Sequence, residues 1–270
     1  MRHPFFDLPR PIAIGHRGSS GEAPENTLPA FERALAQGAA ILETDVHSTA
    51  DGRVVIYHDE RVDRTTDGTG KIAELPFDAL RRLDAGYDFT PDGGRTFPYR
   101  GAGLRIATLA EAFEAFPEAR FNIEIKRDDK ALVDGVLRAI ADAGREKRTL
   151  VTAGEDRAMA RLRGRLAETG LAPAVGASAG DVLGFVRAAL AGTAPPKEPM
   201  ALQIPDDFAG RPLVTRELVA FAHAHDVQVH VWTINDPDEM ARLLELGVDG
   251  IVSDYPARLC AAIRAFRART

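Results

Sequence analysis

Glu43 and Asp45 are two acidic residues within an otherwise apolar run that has the composition of a buried strand. Side chains alternate between the two faces of a strand, so these two carboxylates point the same way. A buried carboxylate without a partner is costly, and two side by side repel each other unless a cation lies between them. An Asp-Gly turn then returns the chain antiparallel and brings His58 towards the acids. Residues 41–59 are therefore interpreted as a chemical site, with an edge hairpin of solvated acids as the alternative.

Glu124 is a third acid with the same relation to its strand. In the strand predicted over 121–126, apolar side chains face one way, while Asn122, Glu124 and Lys126 face the other. Carboxylate oxygens suit a hard cation such as Mg²⁺ or Ca²⁺, which keeps open positions for water or substrate. The alternative is an internal salt bridge with Lys126 or Arg17, but two cations against three acids leave one charge uncompensated.

Two histidines and two cationic residues flank these acids. His16 ends the first predicted strand and His58 ends the hairpin, so both can border the metal. A pair of imidazoles can act as general base and general acid near neutral pH, and which one takes which role is left open. Arg17 and Lys126 suit an anionic phosphate group, the first through its planar fork and the second as a point charge.

Two further candidates lie on later strands. Trp232 shares the inward parity of His230 and is interpreted as a wall of the substrate pocket, with core packing as the alternative. Gln203 ends the sixth predicted strand, where it can contact the substrate. The other histidines are not assigned to the site: His230 is predicted to lie in the core, and His47, His223 and His225 on the surface.

Strand-like apolar runs alternate with amphipathic helical stretches along almost the whole chain. The eight predicted strands cover 12–14, 41–46, 121–126, 149–152, 174–177, 201–204, 227–233 and 250–253. In 270 residues, this rhythm predicts one domain over 1–270 of the α/β class, a (β/α)8 TIM barrel. An open doubly wound sheet is the alternative, but it gathers its ligand groups at a switch point. Here they follow strands one, two, three and seven, the distribution that a barrel uses.

Residues 60–106 interrupt this rhythm directly after the hairpin. They are rich in Asp, Arg, Thr and Gly and contain one short helical pattern near 77–83. A segment this long without regular pattern is more often functional than a plain connection, so we interpret it as an insertion that caps the mouth of the barrel. The regular pattern resumes at Thr108, which is expected to form a capping box with Glu111.

Composition limits the classes of partner. The net charge of −6 and the pI near 5.7 argue against nucleic acid and against broad attachment to anionic membranes. The single cysteine, Cys260, excludes an internal disulfide and is predicted to be a packed thiol in a helix. No stretch has the character of a signal peptide or a membrane span, so we expect a cytoplasmic protein that acts on a small molecule, with its oligomeric state left open.

Several motifs occur in an order that resembles the glycerophosphodiester phosphodiesterases. They are GHRG at 15–18, APENT at 23–27, ETDVHSTADGRVVIYHD at 43–59, DRTTDGTG at 63–70, EIK at 124–126, VWTIN at 231–235 and GVDGIVSDYP at 247–256. The resemblance covers nearly the whole chain and implies a (β/α)8 barrel with an insertion after the hairpin. It also implies the site roles: Glu43, Asp45 and Glu124 as ligands of a divalent metal, His16 and His58 as the acid/base pair, Arg17 and Lys126 on the phosphate, and Trp232 in the pocket.

The activity that this resemblance implies is metal-dependent hydrolysis of glycerophosphodiesters to glycerol 3-phosphate and an alcohol such as choline, ethanolamine or glycerol. One alternative is a lysophospholipase D type of phosphodiesterase that uses the same residues on an acylated substrate, and another is a non-catalytic phosphate-binding barrel. The chain has Ala153-Gly154 where the family usually has a Ser-Phe pair after strand four, and Ala107 where it usually has proline. The first departure bears on substrate preference, since that strand end helps shape the mouth.

Overall fold

The computed structural model describes residues 3–269 and shows a barrel. Eight parallel strands lie around it within that range: β1 (Ile12–Gly15), β2 (Ile41–Ser48), β3 (Arg120–Ile125), β4 (Thr149–Thr152), β5 (Ala174–Val175), β6 (Ala201–Pro205), β7 (Gln228–Trp232) and β8 (Gly250–Ser253). They pair in the order β5-β4-β3-β2-β1-β8-β7-β6. An isolated parallel bridge between Gly176 and Ala201 joins the two ends. The predicted barrel is confirmed, and the open sheet is wrong because its two edges meet.

Eight longer helices of the described chain alternate with these strands: α1 (Leu28–Ala36), α2 (Leu109–Ala115), α3 (Lys130–Asp142), α4 (Asp156–Thr169), α5 (Ala179–Ala191), α6 (Arg216–Ala224), α7 (Pro237–Leu246) and α8 (Pro256–Arg267). The predicted capping box is present at the start of α2, where Thr108 and Glu111 satisfy each other's backbone N–H groups. Every helix within residues 3–269 falls short of the length and apolarity that a membrane span requires.

Shorter elements connect this framework. They are the 3₁₀ turns Pro4–Phe6, Val62–Arg64, Ile72–Glu74 and Glu146–Arg148, the short helix Phe77–Leu80, and a two-stranded hairpin of Asp207–Phe208 with Arg211–Pro212. The first of these turns closes the barrel from below: Phe5 and Phe6 pack against inward residues at the strand starts, among them Ile12 and Ile41. This apolar plug leaves the C-terminal ends of the strands as the accessible end of the barrel.

The predicted hairpin extends from the end of β2. Its arm, Val54–Ile56, pairs antiparallel with the last residues of β2, with Ser48 and Val46 opposite its two ends. The inserted segment 60–106 folds against this arm through a buried apolar cluster that contains Val55, Tyr57, Val62, Ile72, Leu80, Ala85 and Ile106. The insertion is therefore packed onto the barrel through the hairpin, and its role as a cap remains a prediction.

The prediction that His47 lies on the surface is wrong. Its side chain has the outward parity expected on β2, yet it is only 3% exposed. The chain that leaves the hairpin arm covers it, and His47 Nε2 donates to the carbonyl oxygen of His58 at 3.0 Å. Burial lowers the pKa of His47 and outweighs that hydrogen bond. The predictions for three other histidines agree with the structure, since His230 is buried and His223 and His225 are exposed. Cys260 is buried, as predicted for a packed thiol.

Candidate active site

A cavity of about 400 Å³ lies at the open end of the barrel. It brings together all the residues that the sequence analysis assigned to the site: His16, Arg17, Glu43, Asp45, His58, Glu124, Lys126, Gln203 and Trp232. Asn122, Thr152, Gly154, Ala177, Thr233 and Val252 complete its lining. These side chains come from strands far apart in sequence, so barrel closure assembles the cavity.

The three predicted metal ligands form one cluster on the inner face of the barrel. Glu43 and Asp45 on β2 and Glu124 on β3 each offer a carboxylate oxygen, and these atoms lie within 4.8 Å of one another. Asp45 is opposite Glu124 in the parallel register of the two strands. Glu43 and Asp45 are 8% and 1% exposed, so their charges are largely removed from solvent. Oxygen ligands at this spacing can hold a divalent cation that keeps other positions open.

The cationic side chains compensate part of this negative charge. Lys126 Nζ lies 3.4 Å from Asp45 and 3.3 Å from Glu124, and Arg17 Nε lies 3.5 Å from Asp45. Over residues 3–269, however, no lysine or arginine forms an ion pair with Glu43, which accepts a hydrogen bond from the Arg17 backbone N–H at 2.9 Å. Burial and the charge of Asp45 raise the pKa of Glu43. The salt-bridge alternative therefore leaves one buried acid uncompensated, and the donor set fits a metal ion.

The loop between β1 and α1 positions His16 and Arg17. Gly18 in this loop has a φ of 87°, and a Cβ atom there would lie 2.6 Å from the backbone of Ala30 in α1. Only glycine combines that backbone conformation with so close an approach to the helix. The loop is thereby held against α1, which directs the two preceding side chains over the strand ends.

Asn26 is a site residue that the sequence analysis missed. Its Nδ2 donates to Asp45 Oδ2 at 3.0 Å, and its Oδ1 accepts from Thr44 Oγ1 at 2.7 Å. The residue is 3% exposed and has a left-handed φ of 56°. Its place in the APENT motif is the sole sequence signal, because a single asparagine in a loop has no periodicity to mark it.

A carboxylate orients each of the two histidines predicted to act as acid and base. His16 Nδ1 donates to Asp254 Oδ1, and His58 Nδ1 donates to Asp59 Oδ1, both at 2.6 Å. Since a carboxylate can only accept, each pair assigns the Nδ1 proton and leaves Nε2 for other partners. Neither acid is among the site residues predicted from the sequence. Asp59 directly follows His58, but Asp254 becomes a partner of His16 only because β8 lies beside β1.

Two further hydrogen bonds fix the position of the Asp254 carboxylate. The carboxylate also accepts from Ser20 Oγ and from Asn235 Nδ2, both at 2.6 Å. Burial by itself lowers the pKa of His16, but the hydrogen bond to Asp254 and the charge of Glu43 reverse that effect and raise it. Burial opposes ionisation of Asp254, and the donors around it nevertheless lower its pKa to about 2. His16 is thus stabilised in its protonated form.

The mouth of the cavity is formed by later strands. Trp232 at the end of β7 is 44% exposed, which places it at the rim rather than in the barrel core. Gln203 Oε1 is buried, and no hydrogen-bond partner for it occurs in the described part of the chain. Gly154 follows β4, where a Cβ atom would lie 3.4 Å from Glu124 Oε1. The glycine at this strand end therefore leaves space beside one of the acids.

The sequence signature of the glycerophosphoryl diester phosphodiesterase family matches residues 16–164 and 177–258, which include every predicted site residue. The chain belongs to this family. It is accordingly a phosphoric diester hydrolase that acts on glycerophosphodiesters, and the hypothesis of a non-catalytic barrel is not supported.

Its relatives are similar over nearly their whole length. A glycerophosphodiester phosphodiesterase from Caldanaerobacter subterraneus subsp. tengcongensis is 32% identical over 263 residues, which cover 94% of this chain and 98% of that protein. The structure of an Oleispira antarctica phosphodiesterase in complex with the product sn-glycerol-3-phosphate is 29% identical with a TM-score of 0.76, covering 94% of this chain and 97% of that one. Human lysophospholipase D GDPD1 is 29% identical over 280 residues, with 91% of this chain and 84% of that protein covered.

Proposed function

We propose that this enzyme cleaves glycerophosphodiesters to sn-glycerol 3-phosphate and an alcohol in a site where Glu43, Asp45 and Glu124 bind a divalent cation. The observation that carries the proposal is the position of these acids in one cavity between two histidine–carboxylate pairs. The product bound to the Oleispira phosphodiesterase, which is similar over nearly the whole chain, supports the glycerol 3-phosphate half of the substrate.

The cation is proposed to be Mg²⁺ or Ca²⁺, because carboxylate oxygens are hard ligands. When bound, it supplies Lewis-acid stabilisation of charge on a phosphate oxygen. Arg17 and Lys126 already lie within 3.5 Å of the acids, so their positive charges reach the same region of the cavity. We assign them to the remaining phosphate oxygens, where the fork of Arg17 can form two parallel hydrogen bonds.

The acid and base roles are assigned from the environment of the histidines. His16 is proposed as the general acid, because its interaction with Asp254 favours the protonated ring. It would give the proton on Nε2 to the oxygen of the departing alcohol. His58 is proposed as the general base, which takes the proton of the attacking hydroxyl on Nε2. Its Nδ1 proton remains on the hydrogen bond to Asp59 throughout this step.

The proposed nucleophile is the central hydroxyl of the substrate's own glycerol. Its oxygen attacks phosphorus as the bond to the alcohol breaks, which forms a cyclic glycerol phosphate. Water then opens the ring, with the two histidines exchanging roles. An intramolecular nucleophile is already in place, and well-oriented examples reach effective molarities of roughly 10⁵ M or more.

The alcohol can be identified with a substrate panel. Most side chains that line the cavity are charged or polar, which favours small glycerophosphodiesters over the acylated substrates of a lysophospholipase D. Glycerophosphocholine, glycerophosphoethanolamine, glycerophosphoglycerol and lysophosphatidylcholine would each be assayed in Mg²⁺ and in Ca²⁺. Faster release of product from the deacylated substrates is expected. A preference for the lysophospholipid would identify the second activity instead.

Glu43→Gln should weaken metal binding and abolish most activity. The amide keeps the shape of the side chain but removes a charged ligand. Residues that only contact a metal ligand already contribute about 10–100-fold to metal affinity or activity, so a loss of activity above about 100-fold is expected when a ligand itself is changed. Calorimetric titration with Mg²⁺ and Ca²⁺ would report binding separately from turnover. The matched control is Glu32→Gln, on the exposed surface of α1. Normal turnover by Glu43→Gln at limiting metal would refute the ligand assignment.

Asp254→Asn is expected to move the pH profile towards acid. The negative charge of Asp254 helps to raise the pKa of His16, so its removal lowers that pKa. Because His16 must be protonated to act as the acid, activity should then be lost at a lower pH as pH rises. The alkaline limb of kcat/KM against pH measures this, with Asp142→Asn on the exposed face of α3 as control. An alkaline limb that stays in place would contradict the assignment of His16 as acid.

The insertion 60–106 is proposed to cap the mouth and set the preference for the leaving alcohol. A second cavity of about 420 Å³ lies between this segment and the loop after β1, lined in part by Phe89 and Tyr255. Phe89→Ala should therefore change the ranking of the substrate panel more than it changes the melting temperature. On the sequence alone, Phe97 is an equal candidate for this role. Because it packs under the Arg100 guanidinium at 3.7 Å and lines neither cavity, Phe97→Ala instead serves as the comparison. The same ranking for wild type and Phe89→Ala would count against a capping role.

A cytoplasmic location and a small-molecule substrate without nucleic acid belong to the same proposal. The location is expected from the sequence, and the substrate class from the size of the cavity and the charged side chains that line it.

A further inference from the structure

Arg64 lies in the insertion and contacts two acids from different parts of the chain. Its Nε donates to Asp59 Oδ2 at 2.6 Å. Its Nη1 and Nη2 donate to the two carboxylate oxygens of Glu25, each at 2.7 Å. All three nitrogens of the guanidinium are thus engaged, two of them in a bidentate pair that fixes the plane of the group.

Each of these acids also accepts a hydrogen bond from a residue of the proposed active site. Asp59 accepts from His58 Nδ1 at 2.6 Å, and Glu25 accepts from Arg17 Nη1 at 2.9 Å. The side chains therefore form a continuous series from His58 through Asp59, Arg64 and Glu25 to Arg17. Arg64 is its central link, and it joins the end of the hairpin to the loop after β1.

Arg64 also affects the charges of its neighbours. Burial opposes ionisation of Glu25 and Asp59, but hydrogen bonds from Arg64 help to lower both pKa values, that of Asp59 to about 2. Arg17 is shared between Glu25 at 2.9 Å and Asp45 at 3.5 Å. Without Arg64, Glu25 would lose its bidentate partner and bind Arg17 alone. We expect that to draw the Arg17 guanidinium away from Asp45 and the cavity.

We propose that Arg64 is a positioning residue, which aligns His58 and Arg17 at the same time and through which the insertion takes part in catalysis. The proposal rests on the roles assigned above to His58 and Arg17. An exposed salt bridge that only tethers the insertion is the alternative, since the Arg64 side chain is 47% exposed. The geometry favours positioning, because each acid bound by Arg64 also accepts a hydrogen bond from a site residue, Arg17 for Glu25 and His58 for Asp59.

Lysine cannot replace this guanidinium. An ammonium group is a point charge without the planar fork, so it can pair with Asp59 or with Glu25 but cannot reproduce the three directed bonds. The test compares Arg64→Lys and Arg64→Ala with Arg61→Lys and Arg61→Ala. Arg61 is a matched control in the same segment, because it is 51% exposed and its ion pairing within residues 3–269 is a local one with Asp63. All variants and His58→Ala would be assayed with glycerophosphocholine, and their thermal unfolding would be recorded.

Arg64→Ala should lower kcat and raise KM, since misplacement of a catalytic or binding group by about 1 Å can cost roughly 10²-fold in rate. Arg64→Lys should recover little of this loss, whereas guanidinium at sub-denaturing concentration should restore part of the activity of Arg64→Ala. Such rescue would not occur if the variant were simply misfolded. Activity of Arg64→Lys equal to that of Arg61→Lys, or no rescue of Arg64→Ala, would overturn the proposal. An inactive wild type, or a fully active His58→Ala, would instead refute the proposed function on which it rests.

Discussion

Alanine at His16 or at His58 is expected to lower kcat by about 10²–10⁴-fold, the usual contribution of a general acid or base. Neither histidine provides the charge that Arg17, Lys126 and the cation are proposed to direct at the phosphate, so KM should change much less than kcat. The measurement is steady-state release of sn-glycerol 3-phosphate from glycerophosphocholine. The double variant should be little worse than either single variant, because the two side chains act in one proton-transfer sequence.

A matched control is available for these substitutions. His225 is exposed at the C-terminal end of α6, and its Nδ1 donates to the carbonyl oxygen of Phe221 in the same helix. His225→Ala should therefore retain wild-type kcat. If His16→Ala or His58→Ala behaved like this control, the corresponding histidine would have no part in proton transfer.

Removal of the substrate's central hydroxyl is expected to have an equally large effect. The 2-deoxy analogue of glycerophosphocholine should react at least about 10³-fold more slowly, because a well-oriented intramolecular nucleophile reaches an effective molarity of roughly 10⁵ M or more. Its phosphate and choline groups are unchanged, so it should still compete with the natural substrate for the cavity. Competitive inhibition by the analogue would show that it binds but does not react.

Isotope incorporation distinguishes the two steps of this route. In H₂¹⁸O, the cyclic glycerol phosphate should contain no heavy oxygen, and the label should enter the phosphate group of the product when water opens the ring. A short quench should also reveal the cyclic glycerol phosphate itself. Equal rates for the natural and 2-deoxy substrates, with no cyclic species, would mean that water attacks phosphorus directly.

Much of the site could be predicted from the alternation of residues along single strands. Glu43 and Asp45 share one face of β2, and the parity of Glu124 on β3 points it to the same side. Because parallel strands in a barrel end at one rim, acids at these positions must meet there, and the structure places their oxygens within 4.8 Å. The eightfold repetition of strand and helix was sufficient to predict the rim itself.

Other features depend on contacts that no local pattern encodes. Asp254 orients His16 across 238 positions of sequence, and this pairing exists only because β8 closes against β1. The role of Arg64 depends on how the insertion folds back onto Glu25, 39 positions away. The surface prediction for His47 is wrong because strand parity gives the face of a side chain but not what covers that face.

The proposed metal site is tested most directly by the dependence of the reaction on a divalent cation. Wild-type enzyme stripped with EDTA and passed into metal-free buffer would be assayed for sn-glycerol 3-phosphate released from glycerophosphocholine, and again after Mg²⁺ or Ca²⁺ is added. Wild type should be inactive when stripped and recover with one of the two ions, while Glu43→Gln treated identically should not recover at the same concentration. Full activity of the stripped wild type, with EDTA still present, would contradict a metal site at Glu43, Asp45 and Glu124.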